Sequence, residues 1–81
     1  MKYYVGDKVR ALGMYGIDER EIGIIKFIKH NSSDPRYTHY AVQFRRGKGI
    51  HDCDGFVPKG TGLWLKGYYM QLAYPSENRQ P

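Results

Sequence analysis

Apolar and polar positions alternate with a period of two in several short stretches, and no segment carries the apolar stripe at three-to-four residue spacing that a helix requires. The cleanest alternation sets Tyr40, Val42 and Phe44 against Ala41, Gln43 and Arg45, and it predicts the central strand of a sheet. Upstream, Val9 and Ala11 alternate with Lys8 and Arg10 after a Gly6-Asp7 turn, giving a strand over 8–12. Residues 22–29 are β-branched and strand-like, but Ile24 and Ile25 are adjacent and cannot share a face, so a bulge or bend near Gly23 is expected. Leu63-Trp64-Leu65 and Tyr69–Ala73 form two further short strands, joined across Lys66-Gly67 by a tight hairpin or turn. Strict alternation turns Trp64 away from both leucines, toward a surface; the other role open to it is that of a core or core-edge anchor.

Between these runs lie three connections. Residues 13–21 mix two glycines with four charges and read as a loop, with room for a short helical turn over Asp18–Glu21. His30–Arg36 is turn chemistry, because Asn31, Ser32, Ser33 and Asp34 bond to local backbone and Pro35 does not fit a central strand. Residues 45–62 hold five glycines and a proline with little periodicity, an ordered loop of functional length. The pattern is that of one all-β domain over 1–74 followed by a polar tail at 75–81.

Composition sharpens this picture. A chain of 81 residues supports one core. Aromatics reach 15%, mostly tyrosine, which suits pleated surfaces. The single cysteine, Cys53, excludes an internal disulfide and suits a reducing, cytoplasmic setting. No apolar run approaches membrane-spanning length and no secretory h-region follows Met1, so no membrane partner is expected. The net charge of +5 favours anionic surfaces but also serves solubility.

Two ordered stretches carry a resemblance. Val5-Gly6-Asp7-Lys8-Val9-Arg10 leads to Glu21-Ile22-Gly23-Ile24-Ile25, and His51-Asp52-Cys53-Asp54-Gly55 leads to Gly60-Thr61-Gly62-Leu63-Trp64-Leu65. Over roughly residues 5–73 the chain resembles small SH3-like barrel proteins encoded by bacteriophages and prophages of Gram-positive bacteria, although Ile50 stands where that group has glycine before the histidine. The resemblance implies a five-stranded, partly open antiparallel barrel and a viral origin, and it leaves activity open because this fold serves many partners.

Candidate chemistry is concentrated in the loops. Arg45, Arg46 and Lys48, with Lys59, form a basic set able to reach phosphates, and Tyr15, Tyr37, Phe56, Tyr68 and Tyr69 are rings positioned to stack on bases. The plainer readings are solvated loop charges and tyrosines closing the barrel ends. His51, Asp52, Cys53 and Asp54 are ligand-capable, but in an extended segment only alternate residues share a side; no metal or cofactor is expected. Loop shaping by His51, Asp52, Asp54 and Gly55 fits them better. A Cys53–His51 nucleophile lacks a third group to orient it, so no enzymatic activity is expected. Two functions are open on these grounds: recognition of a nucleic acid or nucleotide, or docking on a host enzyme or defence complex. An open barrel also leaves edges through which copies can self-associate.

Overall fold

A computed structural model describes residues 3–12, 20–45 and 47–73. Five strands form one antiparallel sheet: β1 (Lys8–Ala11), β2 (Ile22–Lys29), β3 (His39–Gln43), β4 (Gly62–Lys66) and β5 (Met70–Leu72). Their spatial order is β4-β3-β2-β1-β5, and the two edge strands do not pair, so the structure is an SH3-like, partly open barrel. The middle of the sheet is β2 rather than the expected β3, because only an eight-residue strand reaches both neighbours. Its first half pairs with β1 and most of its length with β3, the two zones overlapping at Ile24.

The bend expected near Gly23 is instead a register shift between Ile25 and Phe27. Ile25 is fully buried while the adjacent Ile24 is only half-buried, so ordinary alternation already separates the two isoleucines. Past the shift, Ile28 packs toward the main core and Phe27 toward the other face. Gly23 has a different reason: a Cβ there would overlap the Val42 side chain and crowd Phe44.

The main core lies inside the barrel and gathers Val9, Ala11, Ile25, Val42, Phe44, Leu63, Leu65, Met70 and Leu72. Tyr3 joins it and donates its hydroxyl to the Met70 carbonyl (3.0 Å), tying the N-terminal segment to β5. The Gly6-Asp7 turn forms as expected: Gly6 takes φ +96°, and Asp7 Oδ2 accepts from the Tyr4 amide at 2.9 Å.

No hairpin forms at Lys66-Gly67. A 3-10 turn, Gly67–Tyr69, redirects the chain so that β5 pairs with β1, Leu72 lying opposite Val9 and Met70 opposite Ala11. A second 3-10 turn, Pro35–Tyr37, joins β2 to β3, with Asp34 as its N-cap accepting from the Arg36 amide. The polar cluster before it also behaves as its composition implies, since Asn31 Oδ1 accepts from the Ser33 and Asp34 amides at 3.0 Å each.

The long loop folds back over the outer face of the sheet. The Ile50 and His51 amides both reach the Gly62 carbonyl, and the Gly62 amide returns to the His51 carbonyl at 2.8 Å. Cys53 and Val57 are thereby buried against Ala41, with Phe27 and Trp64 packed around them. Trp64 does face opposite to Leu63 and Leu65, as alternation requires, but the loop partly covers it. No helix among the described residues is long and apolar enough to cross a membrane.

Candidate ligand groove and basic row

The residues singled out from the sequence do not form one surface. Gln43 lies opposite Gly62 and His39 opposite Lys66, so Arg45, Lys48 and Lys59 cluster at one end of β3–β4 while Tyr68 and Tyr69 stand at the other. Arg45 is also engaged, its guanidinium paired with Glu21 Oε1 at 2.7 Å and 3.0 Å. Lys48 and Lys59 are exposed. Tyr15 and Arg46 lie outside the described residues. Phe56 is not a free stacking platform: one face lies on Phe27, with centroids 3.8 Å apart and planes within 8°. Trp64 meets both rings edge-on.

In the loop-shaping set, the His51 imidazole bonds to the loop backbone. His51 Nδ1 accepts from the Cys53 amide at 3.1 Å, whereas among the described residues neither Asp52 nor Asp54 accepts a hydrogen bond through its side chain. The Asp52 carbonyl instead receives the Gly55 and Val57 amides. Burial, then the nearby Asp52 and Asp54 charges, push the Cys53 thiol up to about 11. Among the described residues no three His, Cys, Asp or Glu side chains gather in a way that could hold a metal ion.

What the fold does assemble lies between the two 3-10 turns. A groove of about 450 Å³ is lined by Tyr3, Pro35, Arg36, Tyr40, Gly67 and Tyr68. Tyr3 and Tyr40 meet edge-to-face at 5.4 Å, and burial raises the Tyr40 phenol, which keeps it neutral. Lys66 Nζ stands 5.1 Å from the Tyr37 ring centre and 5.9 Å from that of Tyr68, bridging the two turns by cation–π contacts. Arg36 lies over Tyr37 at 5.9 Å and forms a two-pronged pair with Asp34, whose carboxyl is held below its usual range by that partner.

The sheet register adds a second feature. Lys29 is opposite His39, and His39 opposite Lys66, so three basic side chains form one cross-strand row. Neighbouring strands lie about 4.8 Å apart, so the row spans about 10 Å, and no acidic residue interrupts it. Two residues along the same face, Phe27, Ala41 and Trp64 form an apolar row already covered by the loop, whereas in the basic row Lys29 is exposed and His39 and Lys66 are half-buried. Sequence reading missed this site. Tyr3, Arg36, Tyr40 and Lys66 are far apart in the chain, and only the register of three strands brings the cations into line.

No family model, curated protein or solved structure matches this chain.

Proposed function

We propose that this protein is a non-enzymatic binding module for an anionic ligand, a single-stranded nucleic acid or nucleotide, held at the tyrosine groove and by the outer-face basic row that Lys66 links to the Tyr68 ring. The observation that carries this reading is the alignment of Lys29, His39 and Lys66 beside the exposed Tyr37 and Tyr68 rings. Cations that track a backbone next to rings that stack on bases are the two components of sequence-tolerant strand binding. A binding rather than a catalytic role is supported by Cys53, a buried thiol held neutral, whose neighbour His51 is engaged with a backbone amide. By its resemblance to phage barrel proteins, the module would work in the cytoplasm of an infected host.

Titration of a fluorescent single-stranded oligonucleotide tests the reading directly. Binding is expected at low salt, falling steeply toward physiological ionic strength, and weakened by Lys66→Gln or Tyr68→Ala. Absence of binding at low salt rules it out. The second reading, docking on a host enzyme or defence complex, draws support from the concavity of the site and its proline and tyrosine lining, which also suit an extended protein segment. A lysate partner that survives nuclease treatment and is lost in Tyr68→Ala would favour it.

A further inference from the structure

Resting on the anionic-ligand reading above, we infer that the groove is a pocket for one unpaired nucleobase, with Lys66, held against the Tyr68 wall, as a phosphate contact beside it. The walls are two short 3-10 turns, one bringing Pro35 and Arg36 and the other Gly67 and Tyr68. Each is closed by a backbone bond, the Thr38 amide to the Pro35 carbonyl and the Met70 amide to the Gly67 carbonyl, so the walls are built in advance of any ligand. The floor is the edge-to-face Tyr3–Tyr40 pair, with Tyr3 fixed through its hydroxyl to Met70. A cleft with ring-bearing walls and phenols and a guanidinium at its edges suits a flat ligand with apolar faces and a polar rim. Nucleobases have that form.

Gly67 is the residue that holds the cleft open. It does not occupy the left-handed region, and a Cβ there would sit 3.6 Å from both the Tyr3 and Tyr40 rings, an ordinary contact distance. Neither backbone strain nor crowding demands glycine, in contrast to Gly23, Gly49 and Gly62, where an added Cβ overlaps its neighbours. What a side chain at 67 would remove is the space above the two rings. Charge fits the same occupant: Lys66 lies between the Tyr37 and Tyr68 rings and so beside the Tyr68 wall, while His39 and Lys29 continue its row over the outer face of the sheet, the face opposite to that of Tyr40. A base within a duplex reaches such a slot only after leaving its stack, so the pocket selects single strands.

The test compares three probes of equal length at low salt: a labelled single-stranded oligonucleotide, the same backbone made abasic, and the duplex. The wild-type chain is expected to bind the single strand about tenfold or more tighter than the other two, within the range one stacked base supplies. Gly67→Leu, which fills the floor, and Tyr68→Ala, which removes a wall at an exposed position, are each expected to abolish that preference while leaving a salt-dependent residual affinity. An unchanged circular-dichroism spectrum verifies that each variant is folded. Equal wild-type binding of all three probes overturns the pocket but leaves anion recognition standing, as does a preference that persists in Gly67→Leu. No binding of any probe overturns both, and capture of a nuclease-resistant protein partner in that case shifts the site to the second reading.

Discussion

Cys53, Asp54 and Gly55 take φ values of 50°, 59° and 93°, three consecutive left-handed residues where L side chains are penalised. Apolar burial and backbone pairing hold the turn in place: Cys53 and Val57 are carried into the outer-face cluster, and the Gly55 and Phe56 amides find the Asp52 and Cys53 carbonyls. Asp54 is exposed, so Asp54→Gly should relieve strain without losing a contact and raise stability by about 0.5–1 kcal/mol. Gly55→Ala should lower it by about 1–2 kcal/mol, both read from urea midpoints. A stabilising Gly55→Ala would refute the left-handed turn. The neighbouring thiol gives a chemical check. With Cys53 moved from 9.0 to about 11, its thiolate fraction near pH 8.5 falls about a hundredfold, so alkylation by iodoacetamide should be at least that much slower in the folded chain than in urea. The unfolded thiol ionises first, so the stability linked to this shift is present below about pH 9 and is lost as pH rises toward about 11.

At the scale of elements, the connection between β3 and β4 is less a free loop than a flap secured at two glycines. A Cβ on Gly49 would overlap the Thr61 carbonyl and the Gly62 amide, and one on Gly62 would overlap Val57 and Cys53. Gly49→Ala should therefore unseat the flap, cost more than about 2 kcal/mol, and red-shift Trp64 fluorescence as Phe56 leaves Phe27. An unchanged emission maximum would show that the flap does not depend on this close approach. Most of the elements were legible in the chain because period two survives in Val9/Ala11, Tyr40/Val42 and Leu63/Leu65, whose partners face outward. The sequence left the flap's seat undetermined, since glycines at 49 and 62 look alike whether they serve a turn or a backbone contact. At the last connection it left a hairpin or a turn open across Lys66-Gly67; the chain makes the turn, and Leu72 finds its partner in Val9, a pairing that spans nearly the whole chain.

Across the whole molecule, described cations stand in two groups at the two ends of β3–β4, Lys29 and Lys66 at one and Arg45, Lys48 and Lys59 at the other, and the division decides which of them a ligand can use. Composition announced a basic, tyrosine-rich surface, yet joined Arg45 and Lys48 to Tyr68 and Tyr69, which the strands hold apart. No local pattern reveals that Lys29 and Lys66 flank His39, because cross-strand register depends on the shift between Ile25 and Phe27. The two ends make opposite predictions. Each phosphate contact contributes about 0.7 to the slope of log affinity against log salt for a single strand, so neutralising two contacting lysines should flatten it by about 1.4. Lys29→Gln with Lys66→Gln is expected to do so and to weaken oligonucleotide binding at every salt concentration. Lys48→Gln with Lys59→Gln removes the same formal charge from exposed positions at the far end, and should leave the slope within error of wild type. Equal flattening by both pairs would mean that the ligand responds to net charge alone, and the basic row would lose its place as the binding surface.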